Sequence, residues 1–282
     1  MQNIIAVVFD FDDTLAPDST SSFLESIGVD VPSFWSERAQ ALVADGWDPV
    51  LAYLYEMIRE SESREKGEKI TRQLLASWGR TITCFNGATR IFSTLRRHVQ
   101  SLNSDATVEF YMVSSGLGVI LRHTRIASQF KDIWASEFHF DENDEIAFPK
   151  NVLSFTDKTR YLFQICKGIV GPQSRDDPFA VNRKAGPEGI RVPFDQMIFL
   201  GDGYTDVPCF SLVRKNGGVA IGVYDTESRR KWKKAWGFIE DGRVSNLVRA
   251  DYGKNASLRD TLLMATESIA QRILLRNSSY QG

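Results

Sequence analysis

Two pairs of acidic residues stand far apart in this chain, and each pair follows an apolar run. Asp10 and Asp12 form the first pair, and Asp202 and Asp206 form the second. A carboxylate at the end of a buried strand is costly unless it is paired with a cation or bound to a metal. Residues two apart in an extended chain point to one side, so Asp10 and Asp12 could hold a divalent cation, and their proximity would raise the pKa of one of them.

The second acidic pair lies in a glycine-containing segment, Gly201-Asp-Gly-Tyr-Thr-Asp206. This segment is superficially similar to a dinucleotide-binding glycine motif. Its last position is Asp206, and an acid there would repel a pyrophosphate. We therefore interpret the segment as a metal-binding loop.

Two further segments carry groups that bind phosphate. Ser114 and Ser115 lie where an apolar run ends and a helical pattern begins, and hydroxyls with free N–H groups at a helix start can hold a phosphate. Lys158 opens the predicted helix 156–167, directly after a predicted hairpin, and would supply a point charge. Three other lysines are alternatives for this role: Lys150, Lys167 and Lys184.

The candidate residues can meet only if the strands that precede them lie side by side in one sheet. Apolar runs typical of buried strands occupy residues 4–9, 108–113, 196–200 and 218–223. Helical patterns occupy residues 88–99, 118–128, 156–167, 206–213 and 227–236. This alternation predicts an α/β fold with a doubly wound, mostly parallel sheet and a Rossmann-like core. Ligands of such sheets bind beyond the carboxyl ends of the strands, where the candidate residues fall.

Residues 16–85 interrupt the alternation, because they contain no convincing strand. Helical patterns there occupy residues 33–44, 49–60 and 70–78. We predict a helical cap domain over 16–85, inserted into a catalytic core made of 1–15 and 86–282. The alternative is that these helices form one layer of a single domain.

Two irregular segments lie outside this helical region. Residues 137–148 alternate around Asn143 and Asp144, which predicts a β-hairpin turned at those residues. Residues 168–193 form a long connection rich in Pro and Gly, which we interpret as a flap or mobile loop.

Composition excludes several classes of protein. The 282 residues are 43% hydrophobic and 25% charged, and the net charge of −2 argues against a general nucleic-acid binder. No stretch approaches the ~18 apolar residues of a membrane span, and no signal peptide is recognisable. Three dispersed cysteines make a disulfide framework unexpected, so we expect a cytoplasmic protein. The basic run 229–236 is interpreted as a solvated helix face rather than an RNA or membrane contact.

Taken together, these motifs resemble the haloacid dehalogenase superfamily of phosphohydrolases, in its phosphoserine-phosphatase-like branch with a helical cap. The matching motifs, in chain order, are Asp10-Phe-Asp-Asp-Thr14, Ser114, Lys158 and Gly201-Asp-Gly-Tyr-Thr-Asp206. The predicted hairpin and residues 249–252 also fit that branch. Two positions depart from the family pattern: Asp13 stands where Gly or Asn is usual, and Thr205 replaces the commoner Asn.

The resemblance implies a mechanism and a set of site residues. Asp10 would attack phosphorus and form an aspartyl-phosphate, and Asp12 would protonate the leaving alcohol and then activate water. Residues implied to hold Mg²⁺ are Asp10, Asp12 through its carbonyl, Asp202 and Asp206. Groups implied to bind the phosphoryl oxygens are the side chains of Ser114 and Lys158 and the amides of Phe11 and Ser115.

Asp12 also separates branches of the superfamily. Dehalogenases lack this second acid because a halide needs no proton, and phosphoryl-transfer ATPases carry a Lys there. We therefore expect a Mg²⁺-dependent phosphatase of a small phosphorylated metabolite, with no nucleic-acid or membrane partner. The alternatives are a phosphotransferase or mutase on the same scaffold, and a non-catalytic phospho-ligand-binding or interaction protein.

Overall fold

A computed structural model describes residues 2–172, 176–225 and 242–279 of the chain. One seven-stranded sheet has the strand order β4-β3-β2-β1-β5-β6-β7. The strands are β1 (Ile4–Phe9), β2 (Thr107–Leu117), β3 (Asp132–Phe140), β4 (Ile146–Asn151), β5 (Met197–Gly201), β6 (Val219–Tyr224) and β7 (Asn246–Arg249). Neighbouring strands are parallel except β4, which runs antiparallel to β3. The predicted fold class is confirmed.

Helices cover both faces of the sheet. They are α1 (Ser19–Ser26), α2 (Val31–Ser33), α3 (Gln40–Ala44), α4 (Pro49–Glu62), α5 (Arg72–Thr81), α6 (Ala88–Leu102), α7 (Gly118–Arg122), α8 (Asp157–Lys167), α9 (Val207–Lys215) and α10 (Ser257–Ser279). A π-helical segment, Phe34–Ala39, joins α2 to α3.

The position of β1 in the sheet explains why its sequence is a continuous apolar run. Its odd-numbered residues, such as Val7, pack in one core with α6 and α10. Its even-numbered residues, such as Val8, pack in a second core with α8 and α9 on the opposite face. Because β1 lies between β2 and β5 and both its faces are covered, residues 5–9 are all buried, which favours apolar side chains throughout.

All five helices from α1 to α5 come from the segment predicted to be helical. Asp18 caps α1 by accepting hydrogen bonds from the backbone of Thr20 and Ser21. The segment begins and ends at adjacent points, because the amide of Phe85 donates to the carbonyl of Leu15 at 2.9 Å. The division into a cap and a core at these points stays a prediction.

Several boundaries differ from those predicted. The helix predicted over 118–128 ends at Arg122, because the amide of His123 already bonds back to Ile120 in a tighter turn. Strand β2 continues to Leu117, beyond the end predicted for it. The predicted helix 227–236 and the basic run 229–236 lie outside the described residues.

Other expectations can be compared directly with the structure. Asp144 lies in the left-handed region at φ 61° within the β3–β4 hairpin, which confirms the predicted turn. The three cysteines are free thiols. Among the described helices, none has both the length and the apolar character needed to cross a membrane.

Candidate active site

Parallel pairing of β1 with β5 brings the two acidic motifs to one edge of the sheet. Phe9 is in register with Leu200, and the amide of Asp10 donates to the Leu200 carbonyl at 2.9 Å. This register brings three carboxylates together. One oxygen from each of Asp10, Asp202 and Asp206 lies within 4.8 Å of the others. Residues almost 200 positions apart in the sequence therefore form one acidic cluster.

Lys158 of α8 reaches the same cluster. Its Nζ lies 2.7 Å from Oδ1 of Asp206 and 3.3 Å from Oδ2 of Asp10, and its side chain is completely buried. Burial lowers the pKa of Lys158, but the Asp10 and Asp206 carboxylates outweigh that effect and raise it. The ammonium group is therefore charged. Of the alternatives, Lys167 instead donates to the carbonyls of Val181 and Arg183.

The fourth motif holds Asp206 in place. The amide of Gly203 donates to Asp206 Oδ2 at 3.0 Å. A Cβ at Gly201 would overlap the Asp206 carboxylate, so glycine is needed there for close approach. Burial raises the pKa of Asp206 to about 6, with Lys158 opposing and Asp10 adding to that shift.

The side chain of Asp12 stands apart from the three-carboxylate cluster. Its Oδ1 accepts a hydrogen bond from the amide of Ser19 at 2.7 Å, at the start of α1. Burial raises the pKa of Asp12 well above its usual range, and the Asp18 and Asp10 carboxylates add to the increase. A raised pKa favours the protonated carboxyl group, which is the form that a general acid needs.

Ser114 and Ser115 lie in a bulged part of β2, between Val113 and Leu117. The expected position at a helix start was wrong, because the strand continues past both serines and α7 begins only at Gly118. Ser114 is buried, and its Oγ accepts a hydrogen bond from an amide two residues later at 3.1 Å. The Ser114 hydroxyl is therefore presented from a strand bulge.

Gly116 allows the second motif to meet the first. A Cβ at this position would lie 2.6 Å from Oδ2 of Asp12 and 3.4 Å from Oγ of Ser114. Phe11 is fully buried, and its carbonyl accepts from the amide of Leu15 at 2.8 Å, which folds the first motif into a tight turn. Asp12 and Ser114 therefore approach each other closely at Gly116.

Sequence reasoning missed several contacts to this site. The hydroxyl of Tyr53, on α4, donates to the Ser115 carbonyl at 2.7 Å, and Ser154 donates to the α4 cap residue Asp48 at 2.5 Å. The Thr14 hydroxyl is fully buried and has no hydrogen-bond partner among the described residues. Only the Thr14 position carried a sequence signal, as the last residue of the first motif.

The acidic cluster fits a hard divalent cation. Its donors are all carboxylate oxygens, the ligand type that Mg²⁺ and Ca²⁺ prefer. Asp10 Oδ1 is buried and has no hydrogen-bond partner within the described part of the chain. Asp10 and Asp206 share the single charge of Lys158, so this buried pair is short of positive charge, which a bound cation would supply.

Comparison with known proteins is consistent with this geometry. A protein of Borreliella burgdorferi described as uncharacterized is 26% identical over 290 residues, covering 93% of this chain and 96% of that one. A solved HAD family hydrolase from Salmonella enterica serovar Typhi has a TM-score of 0.57 at 12% identity, covering 87% of this chain and 67% of that one.

A second solved structure is that of a phosphoserine phosphatase, described as a phospho-aspartyl intermediate analogue. Its TM-score is 0.54 at 14% identity, and the match covers 92% of this chain and 98% of that chain. These structural similarities show a shared fold. The family model for haloacid dehalogenase-like hydrolases matches residues 7–211, which include all four motifs. The chain therefore belongs to the haloacid dehalogenase-like hydrolase family, as its motifs predicted.

Proposed function

We propose that the protein is a Mg²⁺-dependent phosphomonoester hydrolase that acts on a small phosphorylated metabolite. The observation that carries this proposal is the meeting of Asp10, Asp202 and Asp206 within 4.8 Å, with Lys158 against two of them. A nucleophilic carboxylate, a cation site and a fixed positive charge are the components that phosphoryl transfer needs. The family membership supports the hydrolase activity.

In the first step, a carboxylate oxygen of Asp10 attacks phosphorus and forms the aspartyl-phosphate. The bond between phosphorus and the leaving oxygen breaks, and that oxygen takes a proton from Asp12. In the second step, Asp12 accepts a proton from water, whose oxygen attacks phosphorus. Inorganic phosphate leaves and Asp10 is regenerated. The raised pKa of Asp12 supports its part in both steps.

Charge on the transferred phosphoryl group is neutralised from two sides. Lys158 and the Ser114 hydroxyl face it, together with the amides of Phe11 and Ser115. When Mg²⁺ is bound by Asp10, Asp202, Asp206 and the carbonyl of Asp12, it supplies further positive charge to the phosphoryl oxygens. The buried Asp10 oxygen that lacks a partner supports this assignment.

Substrate size follows from the helical segment 16–85, which we propose is a cap. Helix α4 lies within hydrogen-bond distance of the second motif, through Tyr53 and Ser115. A site covered in this way excludes water and suits a small leaving group better than a protein. Solved structures that share the fold include a substrate-bound phosphoserine phosphatase, which supports a phosphate monoester as substrate.

A screen of phosphorylated metabolites with Mg²⁺ tests the proposal. The wild type, Asp10→Asn and the exposed control Asp105→Asn are compared by phosphate release, with sugar phosphates added as acceptors in a parallel series. We expect turnover by the wild type and the control, and a loss of roughly 10³-fold or more in Asp10→Asn. Turnover retained in Asp10→Asn would refute the nucleophile. Transfer to sugar phosphates would favour a mutase, and binding without turnover would favour a non-catalytic protein.

A further inference from the structure

A small basic cleft lies between α6 and the segment that leads into α10, outside the candidate active site. Its volume is about 180 Å³. Four cationic side chains line it and no acidic side chain does: Arg90, Arg97, Lys254 and Arg259. Arg90, Arg97 and Lys254 are exposed and Arg259 is half-buried, so their four charges give this part of the surface a positive potential that attracts anions.

Several other arginines of the described chain pair with carboxylates. Arg38 pairs with Glu56 at 2.8 Å, Arg72 with Asp144 at 2.8 Å and Arg191 with Glu109 at 2.6 Å. None of the cleft's four cations has a carboxylate partner among the described residues. The nearby carboxylate of Asp251 is already engaged, since it accepts from Gly253 and Asn86.

The backbone arranges the cations to converge. Arg90 and Arg97 are seven residues apart on α6, so they lie on one face two turns apart. Lys254 and Arg259 face them from the turn before α10 and from its first turns. The start of this 23-residue helix adds partial positive charge to the same end of the cleft.

The hydrogen bonds within the cleft favour a ligand that accepts hydrogen bonds and donates none. The hydroxyls of Ser93 and Thr94 donate to the Arg90 carbonyl at 3.1 and 3.0 Å, so their protons are used within the helix. Arg97 Nε donates to the Ser93 carbonyl at 3.3 Å, which leaves its terminal nitrogens for the cleft. Guanidinium groups and an ammonium group together match the oxygens of a phosphate group.

We propose that this cleft is a second anion site, separate from the catalytic one, which binds a phosphate group. That group could come from free inorganic phosphate or from a small phosphorylated molecule. Tyr252 connects the cleft to the first motif. Its side chain lines the cleft, and its hydroxyl donates to the Thr14 carbonyl at 2.8 Å. One buried side chain therefore separates the proposed site from the loop that carries Asp10.

Isothermal titration with inorganic phosphate in EDTA tests the proposal. Without a divalent cation the acidic cluster repels phosphate, so binding in the cleft is measured alone. The variant is Arg90→Glu/Lys254→Glu. The control is Lys66→Glu/Lys184→Glu, which changes the net charge equally at exposed positions away from the cleft.

We expect the wild type and the control to bind one phosphate with the same affinity, and the cleft variant to bind about tenfold more weakly or worse. Arg97→Gln, which leaves the other three cations in place, should give a smaller loss in the same direction. A parallel titration with glycerol 1-phosphate distinguishes the sources: equal affinity indicates a phosphorylated molecule, and binding of inorganic phosphate alone indicates the free anion. Equal binding by wild type and cleft variant, or no binding by the folded wild type, would overturn the proposal.

Discussion

At the scale of single residues, Lys158, Asp10 and Asp206 form a buried ion triad. Two carboxylates and one ammonium group are held out of water, where their charges compensate one another. Removing one partner of a buried pair is strongly destabilising, because it leaves an uncompensated charge. We also propose that Lys158 neutralises charge on the phosphoryl oxygens, so both stability and activity should depend on this side chain.

Replacing Lys158 should therefore affect both properties. For Lys158→Gln we expect kcat/KM to fall by about 100-fold or more, because a fixed positive charge at the transferred group is lost. We also expect the free energy of unfolding in EDTA to fall by about 3 kcal/mol, measured by urea denaturation. Lys150→Gln, at an exposed position, serves as the matched control. Wild-type activity in Lys158→Gln would exclude Lys158 from the site.

The meeting of the three aspartates could be predicted from the sequence, but the hydrogen bond from Tyr53 to Ser115 could not. Asp10, Asp202 and Asp206 each follow a strand or lie one turn beyond it, so their meeting follows from parallel pairing. The bond from Tyr53 to Ser115 depends on how α4 is oriented over the sheet. No local pattern of apolar residues encodes that orientation, so the sequence carried no signal for the bond.

At the scale of elements, α4 is held against the core by two hydrogen bonds near its start. Tyr53 donates to the Ser115 carbonyl, and Asp48 accepts from Ser154. We infer that the Tyr53 hydroxyl positions the second motif.

Tyr53→Phe should reduce activity without unfolding the protein. One hydrogen bond contributes about 0.5–1.5 kcal/mol, so we expect kcat/KM to fall by about three- to tenfold. The loss should be mainly in kcat if the Ser115 carbonyl must be held still during phosphoryl transfer. The control Tyr55→Phe removes a hydroxyl from a neighbouring exposed residue of the same helix. Equal kinetics for the two variants would show that the Tyr53 bond has no part in positioning.

The end of the 168–193 connection is anchored to β2 by a second charged network. Glu109 accepts from both terminal nitrogens of Arg191 at 2.6 Å, and also from Lys131 and Tyr111 at 2.5 Å. Burial alone would raise the pKa of Glu109, but these hydrogen bonds lower it to about 2. The ionised form is thus favoured in the folded state.

This shift predicts a specific dependence of stability on pH. The pKa of Glu109 is lower in the folded chain than the ordinary value of about 4.3, so its contribution is fully present above about pH 4.3 and is lost as the pH falls toward 2. We expect Glu109→Gln to cost about 1–2 kcal/mol at pH 7 and progressively less below pH 4. Urea denaturation at several pH values measures this, with the exposed Glu142→Gln as control. A pH-independent cost would contradict the assigned pKa.

Elements formed mainly by tertiary contacts were the ones missed. Helix α1 has a polar sequence, and it forms because Asp18 caps it and Phe23 and Leu24 are buried beneath it. Strand β7 has only four residues and is defined by its pairing with β6. The long apolar runs, by contrast, were predicted because burial on both faces leaves a clear sequence pattern.

At the scale of the whole molecule, the proposed cap and the core are joined at several points. The tip of the β3–β4 hairpin contacts the chain at the start of α5. The amide of Ile146 donates to the Ile70 carbonyl at 2.9 Å, and the amide of Arg72 donates to the Asp144 carbonyl at 3.0 Å. Apolar contacts also run from Phe23 and other residues of the helical segment into the core under β1. The helical segment therefore packs against both the β3–β4 hairpin and the core.

Trapping the covalent intermediate tests the central claim most directly. Wild type and Asp10→Asn are mixed with p-nitrophenyl phosphate and Mg²⁺, quenched in acid within the first turnover, digested and analysed by mass spectrometry. We predict one phosphoryl group on the peptide that contains Asp10, bound to that side chain, and none in Asp10→Asn. Turnover by the wild type with no phosphorylated peptide, or with the phosphoryl group on another residue, would contradict the account.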